Sequence, residues 1–193
     1  IIALSVEQIM PDENLTYKTA VYDQAKEHVN TEIAITIYFP NGTVFEKKLI
    51  RSNLTNTFST KENYAPGYWK IESEVEEIKA SKLFLIKEYE AASFRLENQT
   101  LTILNIGNIP YKKKIEISVG DVKEIKEVEL SVGESKKYKL AAPDGNYKIV
   151  ATDGTNSKDL GTTFLTGRAI SIEELSNSIG GNLFIIVSLI LIL

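Results

Sequence analysis

Cysteine is absent from all 193 residues of this chain. Its absence excludes disulfide bridges, thiolate metal sites and cysteine nucleophiles together. Small secreted modules of eukaryotes are commonly stabilised by disulfides. If the protein is exported, the composition therefore favours a prokaryotic source, archaea included.

Histidine is also scarce, with His28 the only one in the chain. A single histidine in a polar segment has no second imidazole for a shared metal site and no partner for a catalytic triad. The 26 acidic and 22 basic side chains give a net charge of −4, which provides no basic face for nucleic acid. We therefore predict a non-enzymatic chain with no cofactor and no nucleic-acid partner.

Helical periodicity is missing as well, because apolar residues recur at every second position. The alternation is clearest over residues 33–39, 69–76 and 127–132. It places apolar side chains on one face of a strand and polar side chains on the other. Turn sequences such as those at residues 40–42 and 144–146 separate the runs. The pattern predicts an all-β fold of antiparallel β-sandwiches.

An internal repeat divides the chain. Residues 67–71 and residues 145–149 both follow the pattern glycine, any residue, aromatic, lysine, isoleucine, and the two glycines lie 78 positions apart. This spacing is close to the length of one small sandwich domain. We predict one β-sandwich module over residues 6–90 and a second over residues 91–168.

The first five residues leave two interpretations open. Ala3 and Ser5 have the small-residue spacing of a signal-peptide cleavage site, which would make Val6 the first mature residue. The alternative is a first β-strand that begins at Ile2.

The most hydrophobic segment closes the chain, since residues 183–193 are apolar except for Ser188. A helix of this length spans ~16 Å, about half of a ~30 Å hydrocarbon core. We predict the start of a transmembrane helix that is truncated at Leu193 and binds the protein to a membrane. A buried terminal strand and a lipid-anchor signal are the alternatives.

The segment before this tail carries a helix-start signal. Ser171-Ile172-Glu173-Glu174 matches the S-x-x-E pattern of a capping box. We therefore predict a juxtamembrane connector over residues 169–182 in which a helix begins.

The first module resembles the macroglobulin-like and related immunoglobulin-like domains of surface proteins, through residues 22–23, 29–33, 39–43 and 65–71. The second module, through residues 101–110, is similar to adhesion-related sandwich domains of bacterial and archaeal envelopes. The resemblance implies two consecutive immunoglobulin-like sandwiches. Such domains serve as stalks, spacers and binding modules, so the resemblance implies architecture more than activity.

Four N-x-S/T sequons occur, at Asn14, Asn41, Asn53 and Asn98. In an exported protein they are candidate glycan acceptors on surface loops. Asn41 lies in a Pro-Asn-Gly turn, so we expect it to be the most exposed of the four.

Two further site predictions concern polar loops. Asp153 and Asp159 bound a segment rich in oxygen ligands and form a weak Ca²⁺ candidate, although Lys158 opposes a cation and the spacing is not that of an EF-hand. The alternative is a polar hairpin loop. Tyr64 and Tyr68 flank Pro66-Gly67 and form a candidate aromatic patch for stacking on sugar.

Two charged groups have simpler explanations. Glu72, Glu74 and Glu76 alternate along one predicted strand, ~6.6–7 Å apart, within the range of inverting glycosidase carboxylates. A solvated sheet face explains them better. The three lysines at 112–114 are expected to cover an exposed sheet edge.

These observations predict a membrane-anchored, non-catalytic ectodomain, single-pass with its N-terminal part outside the cell. It would act in adhesion or as a spacer, contacting a protein or glycan partner. The alternative is a carbohydrate-binding or accessory module of an envelope enzyme or transporter complex. A hydrolase that uses Glu72 and Glu74 is a third interpretation.

Overall fold

The segments in which apolar and polar residues alternate form β-strands. The structure is a computed structural model that describes residues 1–175, and no helix occurs among them. In chain order the strands are β1 (Ile2–Leu4), β2 (Gln8–Ile9), β3 (Asn14–Thr19), β4 (Glu32–Tyr38), β5 (Val44–Arg51), β6 (Thr55–Ser59), β7 (Gly67–Val75), β8 (Ile78–Ile86), β9 (Ala92–Glu97), β10 (Thr100–Asn105), β11 (Tyr111–Val119), β12 (Val122–Leu130), β13 (Ser135–Ala141), β14 (Gly145–Thr152), β15 (Ser157–Leu165) and β16 (Ser171–Glu174). The all-β prediction is confirmed.

The first eight strands form two sheets, one ordered β1-β3-β6 and the other β2-β8-β7-β4-β5. Inward residues of both sheets form one buried cluster, which includes Leu15, Phe58, Ile35 and Trp69. Non-consecutive strands are neighbours in both sheets, as crossing connections of an immunoglobulin-like sandwich require. β2 runs parallel to β8 through Gln8 and Ile9, which departs from the predicted antiparallel pairing at this edge.

Aromatic rings pack around Trp69 in this first core. Trp69 is fully buried, and its indole nitrogen donates a 2.9 Å hydrogen bond to the carbonyl of Ala65. The Tyr64 ring stacks on it with centroids 5.5 Å apart, and Phe58 packs at 5.6 Å. Buried aromatic pairs at these distances add about 0.5–1.5 kcal/mol each beyond the area they bury.

The last eight strands form two four-stranded sheets, ordered β16-β13-β10-β9 and β12-β11-β14-β15. Ile117, Ile149 and Leu140 are fully buried among their inward residues. The residues of β11 that pair with β14 are 116–119, so residues 112–114 lie outside that pairing, and the edge-covering role of the three lysines stays a prediction. On the β12 side, Lys112 and Lys114 reach Glu129 and Glu127, at 3.0 and 3.5 Å.

Clustering of contacts divides the chain into two compact units. The first comprises residues 1–93, 104–112 and 129–134, and the second comprises residues 94–103, 113–128 and those from 135 onward. The predicted boundary at residues 90 and 91 lies just before β9. Together the sheet orders describe two consecutive immunoglobulin-like sandwiches.

The turn between β10 and β11 is held by two buried asparagines. The side-chain amide of Asn105 donates to the carbonyls of Ile109, at 2.9 Å, and Leu130, at 3.2 Å, while its oxygen accepts from the Gly107 amide at 2.8 Å. Asn108 accepts from the amide of Tyr89 at 2.7 Å. These side chains satisfy backbone groups that the strand ladders leave unpaired.

Both ends of the described chain are strands. Ile2–Leu4 forms β1, which pairs with β3, and Ile2 is 3% exposed. The capping-box prediction is wrong, because Ser171–Glu174 is β16, paired with β13, and Ile172 is buried opposite Leu140. Burial of Ile172 and the ladder to β13 outweigh a local helix-start pattern.

The predicted transmembrane segment at residues 183–193 lies outside the described residues. Within residues 1–175, no helix is long and apolar enough to cross a membrane.

Candidate functional site

The outward surface of the five-stranded sheet carries a group of exposed and half-buried side chains. We call it the Tyr68 face and define it by Tyr68, Leu83, Leu85, Lys70 and Tyr38. Tyr68 and Lys70 alternate with the buried residues of β7 and therefore point outward. Tyr68 is 64% exposed and Leu83 57% exposed.

Strand register makes these residues neighbours. Tyr68 lies opposite Leu85 and Lys70 opposite Leu83 across β7 and β8, while Tyr38 on β4 lies opposite Lys70. Side chains directly opposite each other across antiparallel strands have Cβ atoms about 4.5–5.5 Å apart. The five residues of the Tyr68 face are therefore neighbours on one side of the sheet.

A fixed polar group lies beside the apolar part. The Lys70 ammonium lies 4.0 Å from the centre of the Tyr38 ring and 2.9 Å from Glu72 Oε2. The Tyr38 hydroxyl donates to Glu72 Oε1 at 3.1 Å. The three side chains therefore hold one another in a defined geometry.

These contacts fix the charges of the group. The hydrogen bond from Lys70 is the main cause that lowers the pKa of Glu72, and the bond to Glu72 is the main cause that raises the pKa of Lys70. A carboxyl with a lowered pKa stays ionised at neutral pH and is poorly suited to act as a general acid.

The predicted row of three carboxylates is not formed. Glu74 pairs with Lys79 at 3.2 Å, and Glu76 leaves the strand, in the turn between β7 and β8, with a φ of 53°. Since Glu72 is already held by Lys70 and Tyr38, the geometry offers no free pair of carboxylates there. The solvated-face interpretation describes these residues.

The two tyrosines of the predicted aromatic patch lie in different environments. Tyr64 packs on Trp69 against the core, whereas Tyr68 is exposed on the Tyr68 face. The two rings therefore do not form one exposed aromatic patch. Leu83 and Tyr38 lie on the same face as Tyr68. Their position there follows from the register between the strands and could not be predicted from the sequence.

The calcium candidates each have other partners. Asp153 Oδ1 accepts the amides of Thr155 and Asn156 at 2.9 and 2.6 Å. Asp159 pairs with Lys148 at 3.0 Å, and the Gly161 amide, followed by Lys148, lowers its pKa. Within residues 1–175, no three acidic or histidine side chains are grouped as a metal site would require.

All four sequon asparagines are exposed: Asn14, Asn41, Asn53 and Asn98. In the turn after β4, Asn41 Oδ1 accepts hydrogen bonds from Thr43, at 3.0 Å from its amide and 2.7 Å from its hydroxyl. His28, also exposed, has its ring 4.3 Å from that of Tyr22.

Comparison with known proteins gives little further identification. No family model matches the sequence. No curated protein matches it either. Among solved structures, a segment of two fibronectin type-III domains from chicken tenascin matches with 12% identity and a TM-score of 0.30, covering 86% of this chain and 98% of that one. The assignment of two sandwiches rests on the strand orders and registers described above.

Proposed function

We propose that this chain is a non-catalytic binding and spacing module of a prokaryotic cell-surface protein, anchored in the membrane by its C-terminal segment. In this proposal the Tyr68 face binds a protein partner. The observation that carries it is the exposure of Tyr68 and Leu83 on the outer side of a sheet whose inner side already forms a core.

The energetics of association support such a role for the Tyr68 face. Burying apolar surface contributes about 25 cal/mol per Å², and tyrosines at the centre of an interface are frequent hot spots. Tyr68 and Leu83 supply that apolar area. Lys70 and Glu72 supply oriented charges that would favour one register of the partner over others.

The surface location is supported by the four exposed sequons. Each acceptor is accessible in the folded chain, as attachment of a bulky glycan requires. The absence of cysteine fits an exported prokaryotic protein that folds without disulfides.

Site-specific photo-crosslinking on intact cells tests the binding role. We would place p-benzoylphenylalanine at Tyr68 in the full-length protein, and at Thr57 as a control exposed on another sheet of the same sandwich. We expect an adduct of one defined mass from Tyr68 and none from Thr57. Excess unlabelled protein should compete, whereas protein carrying Tyr68→Ala and Leu83→Ser should not.

The same experiment has a clear contrary outcome. Equal adducts from both positions, or equal competition by the doubly substituted protein, would exclude the Tyr68 face as the contact surface.

The exposed ring of Tyr68 also favours a second candidate, a carbohydrate-binding accessory module. Sugar rings stack on exposed aromatic side chains, and Lys70 with Glu72 offers hydrogen-bonding groups beside the ring. A glycan array with wild-type and Tyr68→Ala protein tests this function. Saturable binding of a defined glycan, lost in the variant, supports it, and binding that Tyr68→Ala leaves unchanged contradicts it.

A further inference from the structure

A hollow of about 580 Å³ opens on the surface beside Tyr68 and is lined by Val6, Glu7, Gln8, Tyr68 and Leu85. Strand register places Gln8, Leu85 and Tyr68 side by side across β2, β8 and β7. Val6 is 45% exposed and Tyr68 64% exposed, and Leu85 is half-buried. Three apolar or aromatic side chains therefore lie at the β2 edge of this sheet.

The backbone of β2 has hydrogen-bonding groups that no described strand uses. The Leu85 amide donates to the carbonyl of Glu7 at 2.9 Å, and the Lys87 amide donates to that of Ile9 at 3.0 Å. Backbone groups of successive strand residues point to opposite sides, so the amide and carbonyl of Gln8 point away from β8. β2 is the end strand of its sheet, and Gln8 is exposed. Unpaired groups at a sheet edge are a template for another strand.

Charge at this edge narrows the class of partner. Glu7 is the one charged residue that lines the hollow. It is exposed and forms no ion pair with another described residue. Lys87 and Glu88 line a neighbouring hollow and, being of opposite sign, add no net charge beside it. A basic side chain near Glu7 is therefore favoured over an acidic one.

We propose that an extended segment of a partner polypeptide adds to β2 at this hollow, a mode of binding that rests on the proposed role of the Tyr68 face. One residue of the segment exchanges two backbone hydrogen bonds with Gln8, as a directly opposed antiparallel pair does. Apolar side chains of the segment contact Val6 and Tyr68, and a basic side chain lies near Glu7. The backbone bonds require a polypeptide, whereas the side-chain contacts select its sequence.

Selection from a peptide library tests this mode on the full chain. We would select random twelve-residue peptides displayed on phage against the immobilised protein and synthesise the most enriched one. We expect apolar residues around a lysine or arginine in the enriched peptides. Binding of the synthetic peptide should protect the Gln8 amide from hydrogen exchange, followed by NMR. Methylation of the peptide amides one at a time should weaken binding at one position, opposite Gln8, by roughly 3- to 10-fold.

A charge reversal with a matched control sharpens the test. In Glu7→Lys, a repeated selection should enrich aspartate or glutamate in place of the basic residue. The control is Glu27→Lys, at an exposed carboxylate in the loop before β4, which should leave the selected sequences unchanged. The same charge preference in wild-type protein and Glu7→Lys would overturn the proposal.

Two other results would also overturn it, namely recovery of no peptide that binds saturably, and saturable binding that leaves the Gln8 amide unprotected. Photo-crosslinking at Tyr68 decides the proposed function separately. An adduct from Tyr68 together with an unprotected Gln8 amide would mean that the partner binds the Tyr68 face without adding a strand.

Discussion

Gly107 occupies a position where the backbone of another segment approaches too closely for any side chain. A Cβ added there would lie 2.1 Å from the carbonyl oxygen of Tyr89 and 2.9 Å from the amide nitrogen of Ala91. Both are backbone atoms, so a rotamer change cannot relieve the collision. The glycine is required by close approach, and not by a left-handed backbone conformation.

We expect Gly107→Ala to lower the free energy of unfolding by about 3 kcal/mol, since relief requires movement of the backbone. The matched control is Gly42→Ala in the same unit, where φ is 83° and a Cβ would meet nothing within 4 Å. That control should cost about 1 kcal/mol, from conformational strain alone. Urea denaturation followed by the fluorescence of Trp69 measures both; equal effects of the two substitutions would contradict the steric explanation.

Tyr138 links the stability of the second unit to alkaline pH. The side chain is 1% exposed, and burial, assisted by the charge of Glu174, raises the pKa of Tyr138 to about 12. An unfolded tyrosine has a pKa of about 10. Because the folded state favours the protonated phenol, Tyr138 contributes to the free energy of unfolding. This contribution is fully present below pH ~10 and is lost as the pH rises toward 12.

We therefore expect the free energy of unfolding of this unit to fall between about pH 10 and pH 12. Tyr138→Phe should reduce the slope over that range. Urea denaturation at a series of pH values, followed by circular dichroism, tests this. A slope that Tyr138→Phe leaves unchanged would exclude Tyr138 as its source.

At the scale of single elements, adjacent residues of β7 face opposite environments. Trp69 is fully buried among aromatic rings, whereas Tyr68 is 64% exposed. Truncation of a buried tryptophan to alanine costs about 3–5 kcal/mol, and exposed substitutions usually change stability by less than about 0.5 kcal/mol.

We accordingly expect Trp69→Ala to unfold or severely destabilise the first sandwich, and Tyr68→Ala to leave its melting temperature nearly unchanged. Thermal denaturation by circular dichroism compares the two. A similar loss of melting temperature in both variants would mean that Tyr68 stabilises the core, and would contradict its assignment as a side chain free to bind a partner.

The sequence alone predicts strands wherever alternation is strong, as in β4 and β7, because the period of two is a local property. Tyr68 is predicted to be outward for the same reason. Leu83 and Tyr38 are not found, since their proximity to Tyr68 and Lys70 depends on the register between strands distant in sequence. β16 could not be predicted for the same reason, because its pairing with β13 joins segments distant in sequence. The local pattern that begins at Ser171 favours a helix.

At the scale of the whole molecule, the internal repeat marks equivalent places in two sandwiches. Its glycines begin β7 and β14, and Ile71 and Ile149 are both fully buried. The aromatic side chains also make equivalent hydrogen bonds. Trp69 donates to the carbonyl of Ala65, and Tyr147 donates to the carbonyl of Pro143, in each case four residues upstream. A short sequence pattern thus predicts a shared strand start and a shared aromatic contact.

The proposed function places these two sandwiches outside the cell on a membrane anchor, and accessibility of the full-length protein in its native cells tests this placement. We expect external protease to release the region of residues 6–170 from intact cells and to leave a membrane-bound stub. We also expect peptide mass spectrometry to find glycan on at least one of Asn14, Asn41, Asn53 and Asn98. Protection of the whole chain until the cells are lysed, with all four asparagines unmodified, would contradict the surface assignment.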